Sequence, residues 1–435
     1  MKRITTTVAL MLICVLARGS QLFADNDPPA TMDGPTVPVP PGTVITMANW
    51  NHYRDFMPDG MVGLFEGRYF WKMPPDIRIE VAPTEIHPLP KNYLAATEKY
   101  ASQVQIAELP DGGLTLKGYM GGIPFPNPQA PHKGWKVLAD LWFRYGPSLL
   151  VDQHAPGCAI NSSGNLSCET VDAVVRQLAY NTDRGVPAEP PAGDAKFSTE
   201  WFMTTEPESQ RYTTSLTITY ADPARSEDVY VFLPALRRYQ PVSAAARCAA
   251  FAGMDFTDED FRSGFDSNLA EVDAEYVARR KILALVDANP PDKPFPDGFY
   301  MPLAWPMPIW AKWQVRDVDV LSVRKIPSKN AGYCYGKRVM YVDAHFRGAL
   351  WQELYDAKMK LWKLYEVAPQ RLEVPEIGPQ NVPGGDMEEI WDLQNNHATW
   401  AAELAKTLVA NANALGEFQD LQRFTTPAGL NLIMR

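Results

Sequence analysis

The 435-residue chain carries 41 basic and 51 acidic side chains, a formal charge of −10 that offers no basic footprint for phosphate and excludes nucleic acid as a class of partner. Its 39 prolines, close to twice the average usage of about 5%, exclude an architecture dominated by long uninterrupted helices. The length suits one large β-rich unit, or two or three ordinary domains.

Lys2 and Arg3 precede an apolar run from Val8 to Ala17, and the stretch closes on Leu22-Phe23-Ala24. This is the order of a secretory signal peptide, residues 1–24, cleaved near Ala24. Its core is far shorter than the roughly 20 apolar residues of a membrane span. Cys14 follows Ile13 inside that core, so it does not fit a lipid-attachment site. Loss of Lys2, Arg3 and Arg18 with the leader takes the formal charge from −10 to −13. The mature chain is expected to be periplasmic, in solution or in peripheral contact with a membrane.

Residues 25–41 are Pro-rich and read as extended, leaving 42–435 as a single large domain with inserted helices and loops. A helix is expected around Thr46 to Phe56, ended by Pro58-Asp59-Gly60. Strand signals follow: Ile77, Ile79 and Val81 alternate with charges, and Val104/Ile106 and Leu114/Leu116 flank Asp111-Gly112-Gly113 as a β-hairpin. Alternation returns at Ser215–Tyr220, Asp228–Leu233, Val315–Val323 and Arg338–Asp343, with a second hairpin between Glu353 and Val367. The clearest helical spacing is Ala270 to Ala288, through Val272, Tyr276, Ile282 and Leu285. The pattern predicts a mainly β (α+β) protein of antiparallel, half-buried strands.

Four cysteines remain after cleavage, an even number suited to disulfides in an oxidising compartment. The Ser-, Asn- and Gly-rich stretch from Cys158 to Cys168 can close as a compact loop, which leaves Cys248 to pair with Cys334. No cysteine spacing fits a metal site, and no metal or cofactor is expected.

Motifs of the common enzyme classes, HExxH, GxSxG, GxGxxG and the P-loop, are absent from the sequence. The six histidines are scattered, so no catalytic residue is assigned. The acids of Thr257–Phe261 (TDEDF) suggest either a cation site or, in better accord with their spacing, a helix-start cap. The stretch from Pro294 to Trp313 packs Phe295, Phe299, Tyr300, Trp305, Trp310 and Trp313 between prolines, and must bury its rings in a core, a ligand pocket or lid, or a membrane surface. Tyr119 and Phe125 lie in the glycine- and proline-rich stretch from Gly118 to Pro126, which reads first as a shaped turn and second as a candidate ligand site.

Five blocks in order, LKGYMGGIPFPNP (Leu116–Pro128), ALRRY with ARC (Ala235–Cys248), KRVMYVDAH (Lys337–His345), ELYDAKMKLWK (Glu353–Lys363) and WDLQNNHATW (Trp391–Trp400), resemble the DUF1329 family of Gram-negative bacteria. That resemblance implies the fold of the lipoprotein carriers LolA and LolB: an incomplete antiparallel β-barrel with helices closing its concave face. It also implies a non-catalytic periplasmic carrier of a lipid or other hydrophobic molecule, working with a transporter of the resistance-nodulation-division type or an outer-membrane protein. An envelope scaffold binding such a partner, and a hydrolase acting on a hydrophobic substrate, are the alternatives.

Overall fold

The computed structural model describes residues 37–289, 295–402, 407–414 and 416–434; the stretch 1–24 expected to be a leader, residues 25–36 of the Pro-rich segment and Pro294 lie outside them. In chain order, β1 (Val44–Ile45), α1 (Asp59–Phe65), β2 (Ile79–Glu80), α2 (Lys91–Tyr100), β3 (Gln105–Glu108), β4 (Leu114–Lys117) and α3 (Lys133–Trp142) precede the long strands. A first meander follows: β5 (Leu149–Asn161), β6 (Leu166–Gln177), β7 (Lys196–Glu206), β8 (Thr214–Tyr220), β9 (Asp228–Leu233) and β10 (Arg238–Val242). After β11 (Val272–Val286) come the short pair β12 (Phe299–Tyr300) and β13 (Trp305–Pro306), and β14 (Lys312–Lys325). The second meander continues through β15 (Lys337–Asp343), β16 (Ala349–Tyr355), β17 (Leu361–Val374), β18 (Gly378–Asp392), β19 (His397–Ala402) and β20 (Leu408–Ala410). The chain ends in two short helices, Leu421–Thr425 and Pro427–Leu430.

Pairing of β19 with β5 joins the meanders into one 14-stranded antiparallel sheet running from β10 at one edge to β11 at the other, and the edges do not meet. The sheet nevertheless curls tightly. Gly134, near the start of α3, lies so close to Ala274 and Tyr276 of β11 that a Cβ would stand 2.2 Å from the Ala274 carbonyl oxygen. At the other end of the same helix, Trp142 stacks on Phe197 of β7 at 4.7 Å. Strands β7 and β11 are nine places apart in the sheet, about 43 Å if it were flat. The 10-residue helix spans only about 15 Å, so the sheet must wrap around it. The fold is an incomplete antiparallel β-barrel with helices on its concave face.

Both faces are buried. On the concave side, Trp135, Leu138 and Leu141 of α3 pack with Leu321 and Val323 of β14 and Met340 and Val342 of β15. On the opposite face, the segment from Ile45 to Val81 and the aromatic segment before β14 cover Val318, Val320, Trp351, Trp391 and Trp400. The hairpins β3–β4 and β16–β17 and strand β9 lie where alternation placed them. No helix among the described residues is long and apolar enough to cross a membrane.

Three expectations need correction. Residues 272–286 form β11, not a helix: they pair residue by residue with β14, with a register shift between Tyr276 and Ala278. Alternation holds only as far as Tyr276; beyond the bulge the basic Arg279-Arg280-Lys281 and the wholly buried run Ile282–Val286 replace it, and the apolar residues 272, 276, 282 and 285 mimic a helical repeat. Second, the expected helix from Thr46 to Phe56 is one 3₁₀ stretch, Trp50–Phe56, and Pro58-Asp59-Gly60 starts α1 instead of ending a helix. Pro58 occupies the N-cap, and the Gly60 N–H donates to the Glu353 carboxylate at 2.7 Å. Third, the strand read from Ile77 to Val81 shrinks to Ile79–Glu80, with Val81 making an isolated bridge to Trp313.

Both disulfides form as paired in the sequence, Cys158–Cys168 and Cys248–Cys334, and fit an extracytoplasmic location. The first is not closed by an irregular loop: Cys158 and Cys168 are directly opposite each other on β5 and β6.

Candidate functional site

The pleat of β5, β6 and β7 points alternate residues into the concave face, among them Ala155 and Gly157, Val171 and Val175, and Ser198, Glu200 and Phe202. Together with Asp386 and Glu388 of β18 and Ala401 of β19 they form the floor of a cavity of about 140 Å³. Its roof is the segment from Phe251 to Ser263, which contributes Phe251, Met254, Phe256 and Phe261. Phe261 packs against both Phe202 and Phe251 at 5.1 Å, giving the wall a continuous aromatic surface.

The roof has little regular structure and is held by buried charge. Thr257 and Asp260 make a reciprocal capping box, the Thr257 N–H donating to Asp260 Oδ2 at 2.9 Å. The acids of TDEDF thus cap a 3₁₀ turn, and two arginines neutralise them. Arg247 pairs with Glu259 at 2.9 Å and with Asp266 at 3.2 Å; Arg338 pairs with Asp260 at 2.8 Å and donates to the Glu259 carbonyl at 2.9 Å. Burial pushes the Glu259 carboxyl up, but Arg247, Lys325, the Ser267 hydroxyl and Arg338 outweigh it and hold it at about 2. The Cys248–Cys334 bridge anchors the same segment to the stretch before β15.

At the end of the roof the backbone takes left-handed conformations at Arg262 (φ 54°), Ser263 (φ 59°) and Gly264 (φ 96°) in succession. Two consecutive non-glycine residues in that region are costly, and the turn is fixed from outside. The Gly264 carbonyl accepts from Gln352 at 2.7 Å and from Arg338 at 3.2 Å, and the Arg262 carbonyl accepts from Arg144. The turn sets the polar end of the cavity: Arg262, Ser263, Glu200, Asp386 and Glu388. The Ser263 hydroxyl donates to Asp386, and no histidine lines the cavity. Burial pushes the Glu200 carboxyl up to about 8, with the Asp266 charge adding and Arg262 opposing. Burial likewise raises Asp386 to about 6, and burial together with the Asp386 charge raises Glu388.

None of the eight residues singled out in the sequence lines this cavity. Phe295, Phe299, Tyr300, Trp305, Trp310 and Trp313 are brought together, but on the opposite face of the sheet. There Trp305 stacks on Trp313 at 5.6 Å and on Trp391 at 5.3 Å, and Phe295 stacks on Trp400 at 5.2 Å. Tyr119 is buried 4.3 Å from Phe143, its hydroxyl on the Gly122 carbonyl. Phe125 lines a separate open groove with Ile106, His132 and Lys136. Sequence reasoning misses the cavity residues because strands distant in sequence supply them. The available signal was Gly384–Asp392 (GGDMEEIWD), a strand with four acids among apolar neighbours.

A family model described as "Protein of unknown function (DUF1329)" matches residues 44–428. Among curated proteins none matches. Of the solved structures, the chain is similar to a candidate outer membrane lipoprotein-sorting protein domain from Vibrio parahaemolyticus, at 14% identity over 68% of this chain and 99% of that one, with a TM-score of 0.45. A DUF1329 family protein from Desulfovibrio piger gives 14% identity over 68% of this chain and 100% of that one, with a TM-score of 0.45. A LolA superfamily protein from Nitrosomonas europaea gives 13% identity over 66% and 93%, with a TM-score of 0.35.

Proposed function

The chain belongs to the DUF1329 family, and we propose that it is a non-catalytic periplasmic carrier that shields an apolar molecule in the concave face of its open barrel. The observation that carries this reading is the cavity under the 251–263 roof, walled by Phe202, Phe251, Phe256, Phe261, Val171 and Met254, with its polar groups gathered at one end. Such a mostly apolar site with a few convergent polar groups is what small hydrophobic ligands require.

Magnitudes define what it can hold. A volume of about 140 Å³ is close to the roughly 150 Å³ of an apolar cavity that takes up benzene, and below the roughly 300–1000 Å³ of drug-sized pockets. One ring or a short chain fits the present geometry, and a longer acyl chain needs the roof to lift. Burial supplies about 0.8 kcal/mol per CH₂, so capture requires no covalent chemistry. The leader read at residues 1–24 and the two disulfides support the compartment. Unloading onto a transporter of the resistance-nodulation-division type, or onto an outer-membrane protein, completes the carrier cycle.

The test is organic extraction of the purified mature protein followed by mass spectrometry, together with titration of the neutral apolar dye N-phenyl-1-naphthylamine. A co-purified hydrophobic molecule and saturable dye binding are expected. Absence of both removes the carrier reading.

A further inference from the structure

The cavity roof is held in two ways. Its flanks are fixed by the guanidiniums of Arg247 and Arg338, which stay charged at any ordinary pH, and by the Cys248–Cys334 bridge. Between these anchors, residues 251–256 form a flap that closes on itself, the Phe251 N–H donating to the Phe256 carbonyl at 2.8 Å and the Met254 N–H to the Phe251 carbonyl at 2.8 Å. The flap presents Phe251, Met254 and Phe256 to the cavity. Met254 lies so close over β5 that a Cβ on Gly157 would stand 2.5 Å from its terminal methyl carbon.

Asp255, between two of these cavity residues, ties the flap to the sheet. Its N–H donates to Thr399 Oγ1 at 2.9 Å, and its carboxylate accepts from the Thr399 hydroxyl and from His397 Nδ1, each at 2.8 Å. Its carbonyl accepts from Lys363 Nζ. His397 and Thr399 alternate along β19 with Ala401 of the cavity floor, so they share its face of the sheet. His397 is itself placed by ladder pairing with Asp392 and Asn161 and by its carbonyl, which accepts from Trp71 Nε1 at 3.1 Å. The Asp255 side chain is buried, whereas that of His397 is 30% exposed, so protons reach the imidazole from solvent.

We propose that the His397–Asp255 contact is a pH-sensitive latch on the cavity: the protonated imidazole holds the flap down as an ion pair, and the neutral one leaves only a hydrogen bond, so that the flap lifts more often and the ligand exchanges faster. The inference deepens the carrier reading and rests on it. The charged groups facing the imidazole are Asp255 of the flap, Asp392 of β18 and Lys363 of β17. The Asp255 hydrogen bond and charge, with the Asp392 charge, hold it above its ordinary range against burial and Lys363. The ion pair is therefore complete below about pH 6.5 and is lost as pH rises through the folded-state value. Other acids of the roof and cavity titrate nearby: burial raises Asp258 and Asp386 to about 6 and Glu200 to about 8, and it also raises Glu388. Their effect is common to the wild type and a His397 variant, so the ratio of the two isolates the latch.

The experiment is stopped-flow release of N-phenyl-1-naphthylamine from the mature protein between pH 5 and pH 8, the range in which histidine changes charge. His397→Asn keeps an N–H for Asp255 and cannot become charged. At pH 5 it is expected to release the dye about threefold to fivefold faster than the wild type, and at pH 8 the two rates converge. Asp255→Asn, which removes the other charge of the pair, is expected to show the same convergence; melting curves at both pH values establish that the variants are folded. A variant-to-wild-type ratio that stays constant across the range for both variants overturns the latch and leaves the carrier reading standing. Failure of the dye itself to bind removes the carrier reading instead.

Discussion

Glu366 on β17 and Glu389 on β18 stand directly opposite each other across the ladder, both buried, with Trp351 and Trp400 next in the same row on either side. Neither Glu389 oxygen meets a hydrogen-bond partner, nor does Glu366 Oε2. Burial raises Glu366 far above its ordinary range, and burial together with the Glu366 charge does the same for Glu389. The native state therefore keeps protons that the unfolded chain releases above about pH 4.3. The stability from this difference is complete below that pH and declines as pH rises toward the folded-state values, by up to about 1.4 kcal/mol per unit for each carboxyl. Glu389→Gln removes one such group, so its melting temperature should shift upward relative to the wild type as the pH goes from 5 to 8. Parallel melting curves for the two proteins over that range would contradict the assignment.

Arg338 is the main strut of the cavity roof, fully buried and bonded to Asp260, to Gln352, and to the carbonyls of Glu259 and Gly264. Replacing it with methionine keeps the volume but leaves Asp260 uncompensated. A loss of about 3–5 kcal/mol is expected in chemical denaturation. A loss below 1 kcal/mol would mean that the Tyr335 and Thr257 hydroxyls, both 2.8 Å from Asp260, suffice to hold the carboxylate.

The two disulfides should contribute unequally. Cys248–Cys334 closes 86 residues and Cys158–Cys168 only 10, so chain-entropy estimates give about 4.6 and 2.7 kcal/mol. The paired Cys248→Ser/Cys334→Ser variant is expected to melt lower than Cys158→Ser/Cys168→Ser. It should also lose ligand binding first, since it frees the segment that roofs the cavity. The reverse order in calorimetry would show that the long bridge does not restrain the roof.

Ala155 lies on the cavity floor, and tryptophan there fills the space the ligand would occupy. Ala155→Trp is expected to weaken dye binding at least tenfold at a stability cost of about 1–3 kcal/mol for overpacking. Unchanged dye affinity in this variant would place binding elsewhere on the molecule.

Much of the sheet was legible because period-2 alternation is a local signal. Strand β9 is legible at its observed limits, Asp228–Leu233, the β3–β4 hairpin from its Asp111-Gly112-Gly113 turn, and the β16–β17 hairpin from alternation. The signal failed where alternation stops at a bulge, as after Tyr276 in β11, and where a proline that starts a helix resembles one that ends it, as at Pro58. Pairing of the four cysteines followed from their number and spacing. The cavity was not legible: Val171, Glu200, Phe256 and Asp386 meet only because β5 pairs with β19, a contact between residues more than 230 positions apart that no local pattern announces. Conversely, the aromatic cluster from Phe295 to Trp313 is conspicuous in the sequence, yet its rings pack on the far side of the sheet.

A closed barrel has its bore fixed by strand number and stagger, so it can enlarge only by breaking ladder bonds. This sheet is wound around α3 and left unsealed between β10 and β11. Its curvature can relax while every interstrand hydrogen bond remains in place. The width of the concave space is then set by how far the wall bends and not by the ladder, and the open seam is what leaves that width adjustable.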